Sequence, residues 1–573
     1  MRQIAFIALS LLLAASCSGP DQPLGEEAFP PLFPDRALFL SAIYHCQVKP
    51  LPQKISGLTV PHHLLAADLL AGAFARVQGH DYQRIIILSP DHFARSRSPF
   101  AVTPRDFETA TGRLSTDRRA VHRLLANPLV SESSLFSHEH GVQALLPFIA
   151  HYFPRALIVP IALRHSSQPA DWEALARTLA PLLGPDTLLV QSTDFSHYLS
   201  HQEARRRDQE TLRVLSGGDP REVLSLTEPS HLDSRGCQYL QLRLQRQVFG
   251  AGPTVIANRN SQEYTTEPVA KTTSYIVQLY SPEPLPVEGA QSWFFGGDTF
   301  CGRRVAKRLA TPESREALLN QVLRITGGKP LILNLEGVLK AKCPESPGPY
   351  TLCMEEALAL PLLKGLNVQA VSLANNHSLD LGEDSYREMR RRLADQGIAC
   401  LENRGVLDLG AFYLAGFTDV DNQSEEKIAR LTRQDLEGLA YLKRDKPLFA
   451  MIHWGREFAD QAGPREQALA ALLEAKGVEV IIGCHSHGAG QLAGTRKSCR
   501  LFSLGNFLFD QDKPRVSGML LEAVFFPQGT YFLQVHPLNN LYRTHPFKII
   551  LQTPQPAFPG RNGGRDGAAP ACP

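Results

Sequence analysis

Phe294-Phe295-Gly296-Gly297-Asp298 reads as an apolar strand that stops on a carboxylate, and the same event recurs downstream. Pro330-Leu331-Ile332-Leu333 runs into Asn334-Leu335-Glu336, and Val368-Gln369-Ala370-Val371-Ser372-Leu373 into Ala374-Asn375-Asn376-His377. Leu448-Phe449-Ala450-Met451-Ile452 ends in His453-Trp454-Gly455, and Val478-Glu479-Val480-Ile481-Ile482 in Gly483-Cys484-His485-Ser486-His487. Short apolar runs of this kind predict buried strands. The carboxyl ends of neighbouring strands in an α/β sheet open into one crevice, so polar groups placed there can converge. One histidine behind a strand is ordinarily a hydrogen-bonded core residue; a series of such ends points to a metal site.

The donor set narrows the metal. Imidazoles with carboxylates and a side-chain amide favour a divalent transition metal, Mn, Fe or Zn, over Ca. Two such ions held close together can share a hydroxide and clamp a phosphoryl group for in-line attack.

Outward from this stretch, three prolines in Ser281-Pro282-Glu283-Pro284-Leu285-Pro286 mark a stiff linker, placed at 281–290, with the metal-bearing domain at 291–553. A second α/β block precedes it, at 36–280. Its β-branched runs Arg84-Ile85-Ile86-Ile87-Leu88-Ser89, Ala156-Leu157-Ile158-Val159-Pro160-Ile161 and Thr187-Leu188-Leu189-Val190-Gln191 alternate with helical stretches such as Asp171 to Leu183. That rhythm predicts a largely parallel sheet covered by helices. Histidine-bearing turns punctuate it: Val60-Pro61-His62-His63, Ser89-Pro90-Asp91-His92-Phe93, Ser137-His138-Glu139-His140-Gly141 and Ser192-Thr193-Asp194-Phe195-Ser196-His197-Tyr198. Three or four imidazoles with few acids suit a mononuclear Fe, Cu or Zn site.

Both ends of the chain read as non-globular. Met1-Arg2-Gln3, the apolar run Ile4 to Ala15 and then Ala14-Ala15-Ser16-Cys17 have the parts of an export signal over 1–17, too short to span a bilayer. A cysteine directly after small residues resembles a bacterial lipobox, in which Cys17 is lipidated and anchors the chain to a membrane. Ala14 stands where leucine is commonest. Ser18-Gly19 after the cysteine resembles outer-membrane sorting, so the expected location is the cell envelope, periplasmic or surface-facing. Residues 18–35 read as a tether, and 554–573, rich in Pro, Gly and Arg, as a disordered tail.

At 573 residues the chain exceeds one ordinary core. A formal net charge of +2 gives no electrostatic reason to expect nucleic acid. Nine cysteines remain after Cys17 without a CxxC pair, which indicates neither a disulfide framework nor a zinc ribbon. Cys343 and Cys353 flank Pro344-Glu345-Ser346-Pro347-Gly348-Pro349 and can close a loop in an oxidising compartment.

Two family resemblances follow from these blocks. Gly297-Asp298-Thr299-Phe300-Cys301-Gly302-Arg303, Asn334-Leu335-Glu336-Gly337, Ser372 to Asp380, His453-Trp454-Gly455, His485-Ser486-His487 and Ser503-Leu504-Gly505-Asn506-Phe507 resemble, in order and context, the poly-γ-glutamate capsule-synthesis CapA family, over about 292–537. The resemblance implies a metallophosphoesterase-like α/β sandwich. Its metal ligands would be Asp298, Glu336, Asn376, His453, His485 and His487, holding one or two ions. It puts His377 beside the substrate as acid or charge stabiliser, and Arg303 on an anionic substrate group or in a structural role. Phe300 stands where phosphoesterases usually have a histidine, which puts the second metal position in question. Ser486 stands where CapA proteins often have proline, and Cys484 adds a soft ligand or, on the preferred reading, is buried.

Residues 36 to about 280 resemble the Memo family, also called AmmeMemoRadiSam system protein B, whose α/β fold is similar to class III extradiol dioxygenases. That resemblance implies His62, His92 and His197 as metal ligands, with Glu139, His140 and Asp194 in the same site. A cysteine that some members carry near the domain's end is missing around Thr265. Cys237, in Ser234-Arg235-Gly236-Cys237, has the family's Cys-Gly order reversed.

Three functions fit. The leading one is an exported metal-dependent hydrolase or transferase acting on a capsule, another cell-surface polymer or a small anionic phosphoester. The others are a non-catalytic polymer-binding or export module, and an Fe or Cu oxidoreductase in the first half.

Overall fold

The computed structural model describes residues 27–538 and 541, apart from 347, 349, 421–429, 443–444, 460 and 512–516. The expected signal, Cys17, residues 18–26 of the tether and the tail lie outside the described residues. The chain is a mixed α/β protein whose long sheets fall on either side of residues 282–290.

In the first half, β1 (Gly57–Val60), β2 (Arg84–Asp91), β3 (Leu157–Arg164) and β4 (Thr187–Ser192) are joined in parallel in the order β1-β4-β2-β3. β5 (Gly252–Asn260) and β6 (Thr272–Ser281) add antiparallel strands beside β1. The continuous apolar runs reflect burial on both faces. Ile85 and Ile87 point into a core with α1 (Ala67–Val77), while Ile86 and Leu88 point into one with α2 (Pro169–Leu179) and α3 (Arg235–Leu244).

The second half is a four-layer sandwich. One sheet runs β9-β8-β7-β13-β14, from β7 (Gln291–Thr299), β8 (Leu331–Leu335), β9 (Val368–Ser372), β13 (Gly518–Phe525) and β14 (Tyr531–Leu538). The other holds β10 (Tyr413–Thr418), β11 (Leu448–His453) and β12 (Val480–Cys484) in parallel. Side-chain alternation assigns each strand's faces. Phe295 and Ile332 meet Phe449, Met451 and Ile482 between the sheets, whereas Phe294, Leu331 and Leu333 pack outward with α4 (Pro312–Thr326) and α5 (Glu356–Gly365). Ala450, Ile452 and Ile481 face Leu469 and Leu473 of α6 (Pro464–Ala475).

One expectation needs correction. The tether does not reach residue 35: Phe29 is buried against Phe107 under the Arg105 guanidinium, because an aromatic ring gains more from this cover than from water. The proline-rich linker is anchored, since Leu285 is buried, its amide donating to Thr254 Oγ1 (3.1 Å) and its carbonyl accepting from Gln534 Nε2 (3.2 Å). The halves also share core and charge. Phe526 and Phe532 join the first half's apolar cluster, and Arg213 of the helix His201–Gly217 pairs with Glu479. Cys343 and Cys353 form a disulfide, with 5.8 Å between their Cα atoms.

Candidate metal centres

The second half brings its strand ends together from both sheets. Asp298 lies at the end of β7 and Glu336 just past β8, while His453 closes β11; these three present donor atoms within 4.8 Å of one another, all buried. Gly297 lets the strands close here, since a Cβ would run into the Gly505 carbonyl. His485 and His487 follow β12 with positive φ of 91° and 58°, an unusual backbone for histidine. His485 N–H donates to Asp298 Oδ2 (3.1 Å), and His487 Nδ1 lies 3.2 Å from the same oxygen. Asn376 Oδ1 is 2.9 Å from His453 Nε2, and His485 Nδ1 is 3.0 Å from that nitrogen. All six residues named from the sequence therefore border one space.

Charge in this space is under tension. Burial raises Glu336 well above the ordinary carboxylate range, and the neighbouring Asp298 adds to the rise. Burial works against Asp298 as well, but the His487 hydrogen bond and positive charge outweigh it and leave its pKa lowered. Burial, then His485, pushes His453 well down, and burial, then His487, takes His485 down to about 4. Two adjacent buried carboxylates with neutral imidazoles are the setting a divalent cation would neutralise, so the residues fit such an ion.

His377 stands at the rim. Its Nδ1 is 2.9 Å from Asp380 Oδ2, its amide donates to Asn375 Oδ1 (3.1 Å), and it lies near enough to His453 and His485 to add to the lowering of both. Arg303 is committed to Asp510 (2.7 Å) and lies over the Phe300 ring. Phe300 itself is buried in the outer core beside Phe509. The Cys484 thiol is buried and its pKa driven up by that burial, which suits a neutral core residue. Two roles were missed from the sequence. Asn334 donates to Asp298 Oδ1 (2.8 Å) and spans Glu336 (3.3 Å) and His453 (3.2 Å), while Asn506 holds His487 Nδ1 at 2.7 Å. Both sat inside quoted blocks, and their position at strand ends was the available signal.

The first half builds its own group. The rings of His62, His92 and His140 present nitrogens within 4.8 Å of one another. His62 follows β1, its amide donating to Asp194 Oδ1 (3.1 Å) and its Nδ1 lying 3.1 Å from Ser192 Oγ. Glu139 accepts from the His92 amide (3.0 Å) and sits 2.6 Å from His92 Nδ1, so it orients that ring and leaves Nε2 for the centre. His197 lies outside the close trio. Its Nδ1 is 3.3 Å from Thr273 Oγ1, and its buried Nε2 has no hydrogen-bond partner.

Burial, then the His92 charge, drives His62 well down and His140 to about 4. Burial opposes a charge on His92 too, yet hydrogen bonds to Asp233 and Glu139 lift it to about 10. Burial, then Asp233, pushes Asp194 up to about 8. The orphaned His197 Nε2 and Asp233 Oδ1 are buried polar atoms of the kind a bound cation or its water would satisfy, and the donors fit a cation. Asp233 had no signal in the sequence, since it follows no predicted strand.

These geometries coincide with two family matches. Residues 36–276 match the family model described as Memo-like protein, and residues 292–401 and 418–511 match that of the bacterial capsule synthesis protein PGA_cap. The chain thus joins a Memo-like half to a capsule-synthesis, CapA-like half.

Among curated relatives, a MEMO1 family protein of Thermotoga maritima is 33% identical over 172 residues, 29% of this chain and 61% of that protein. One from Thermotoga sp. strain RQ2 is 31% identical, over 29% of this chain and 62% of that protein. Another, from Ignicoccus hospitalis, is 25% identical over 39% of this chain and 76% of its own length. The chain spans about three fifths of the length of the two Thermotoga relatives.

Proposed function

We propose that the second-half centre is the active site of an exported envelope protein, a metal-dependent hydrolase or transferase acting on a phosphoester or an anionic cell-surface polymer. The convergence of Asp298, Glu336, Asn376, His453, His485 and His487 carries this reading. A bound Mn, Fe or Zn ion, or a pair, would polarise the scissile group and supply hydroxide near neutral pH. Asp298 and Asn334 keep the ligand shell ordered, and the His377–Asp380 pair at the rim is placed to give a proton to a leaving oxygen or to steady developing charge. The export signal read at 1–17, the lipid anchor read at Cys17 and the Cys343–Cys353 disulfide support an envelope location. No helix among the described residues is long and apolar enough to cross a membrane.

The test is a panel of phosphomonoesters, phosphodiesters and γ-glutamyl peptides assayed with metal-loaded protein. Turnover is expected, and it should vanish in His377→Ala while metal content and folding persist. Bound metal without turnover of any panel member would instead favour a polymer-binding module, the reading that the buried Phe300 supports. A protein that binds no transition metal would sink both.

For the first half we propose an Fe-, Cu- or Zn-binding site built on His62 and His92, with His140 and His197 beside them, the close trio of rings being the observation that favours it. Oxidoreductase chemistry there predicts oxygen consumption or metal reduction that His92→Ala abolishes. Unchanged rates in that variant would remove this reading.

A further inference from the structure

One carboxylate in the first half is placed as a ligand would be. Asp233 Oδ2 lies 3.3 Å from His62 Nε2 and 3.8 Å from His92 Nε2, the two ring nitrogens left free by Ser192 and Glu139. Its other oxygen, Oδ1, is buried and has no partner. A buried carboxylate with one idle oxygen beside two inward imidazoles is costly unless something positive occupies the space. Asp194 is the alternative acid, but its Oδ1 is taken by the His62 amide and its Oδ2 stands farther from His62 Nε2, at 3.6 Å.

The loop carrying Asp233 is fixed on every side, so this placement is built rather than incidental. Leu232 bridges Phe195, the Asp233 amide donates to the Asp194 carbonyl (3.0 Å), and the Asp194 amide donates to Asp233 Oδ2 (3.0 Å). Ser234 caps α3 by accepting from Cys237 N–H (3.2 Å). Two residues earlier, the fully buried His231 meets Glu210 (2.9 Å), which Arg496 of the second half grips at 2.9 Å while also donating to the Ser225 carbonyl (3.1 Å).

We propose that Asp233 is the carboxylate ligand of the first-half metal ion, completing a two-histidine, one-carboxylate set with His62 and His92. The inference rests on reading this half as a metal centre. The mixed imidazole and hard oxygen donors select Fe(II) over Cu(I).

The test uses the full chain, stripped with chelator and titrated anaerobically with Co(II), with bound metal counted by mass spectrometry. His62→Ala should remove one ion per chain. Asp233→Asn should weaken that same ion about tenfold or more, whereas Asp194→Asn should weaken it less. Asp233→Cys should add a sulfur-to-cobalt charge-transfer band absent from the unsubstituted chain, a readout that a merely structural aspartate would not produce. If Asp233→Asn binds as tightly as the unsubstituted chain while His62→Ala loses the ion, or if Asp233→Cys holds cobalt without the band, Asp233 is not a ligand. If His62→Ala and His92→Ala keep every ion, the metal reading of this half fails instead. Should Asp233→Asn fail to fold, as thermal melting in chelator would reveal, the Asp233→Cys spectrum decides.

Discussion

The two halves solve the same problem with opposite charge arrangements. In the second, a carboxylate pair sits at the centre: Asp298 is held ionised by His487, and Glu336 is forced toward its neutral form by burial and by Asp298. In the first, imidazoles occupy the centre and acids stand around them, so His92, between Asp233 and Glu139, carries the positive charge. The first group is assembled from the ends of one sheet plus a short helix start and a loop, the second from the ends of two stacked sheets. Should each centre hold the ion proposed for it, the second would suit a hydrolytic metal and the first Fe, Cu or Zn.

The largest expected effect breaks this comparison at one end. Asp298→Ala removes the acceptor for His485 N–H and the counter-charge of His487, so it should abolish the second-half ion, leave the first-half ion in place and cost about 3–5 kcal/mol in a denaturant titration. Loss of both ions together would mean that the centres are not independent. Next comes Glu139→Ala, which frees the His92 ring. It should weaken only the first-half ion, by about 10–100-fold in calorimetric titration, and an unchanged affinity would deny Glu139 its orienting role.

Reduction of the Cys343–Cys353 disulfide, or Cys343→Ser, opens a loop with a sequence separation of 10. It should lower stability by about 2–3 kcal/mol, with second-half probes melting first. Equal stability with and without reductant would contradict a cross-link.

The smallest effect is the pH dependence of the metal-free chain, in which the buried histidines and the buried carboxyls of both halves act on opposite limbs. His485 has its pKa lowered from 6.5 to about 4, so the stability it contributes is present above pH 6.5 and lost as pH falls through 4. Asp194 is raised from 3.8 to about 8, so its contribution is present below pH 3.8 and lost as pH rises through 8. Thermal midpoints measured in chelator should drop on both sides. His485→Asn should flatten the acid limb and Asp194→Asn the alkaline one; a variant that flattens the other's limb would reverse the assignment.

Much of the second centre was legible because its donors sit where strands end, a position that local apolar periodicity marks without any knowledge of the fold. Asp298, Glu336, His453 and His485 are all of this kind. The first centre was less legible. The resemblance named His62, His92 and His197 as ligands and His140 as a neighbour in the same site, whereas the close trio holds His62, His92 and His140, the last at the start of the short helix His140–Gln143. Asp233 was invisible because it lies on a loop between a buried histidine and a helix cap, and no periodicity marks such a site.

By itself, the sequence determined the α/β class, the order of the two halves and the strand-end residues, since burial of alternating or continuous apolar runs is a local property of the chain. Only the tertiary structure decided which face each strand presents, that Leu285 is locked between the halves, and that Asp233 meets His62 and His92. Those outcomes depend on contacts between segments far apart in the chain, and their register is set by packing rather than by any neighbour in sequence.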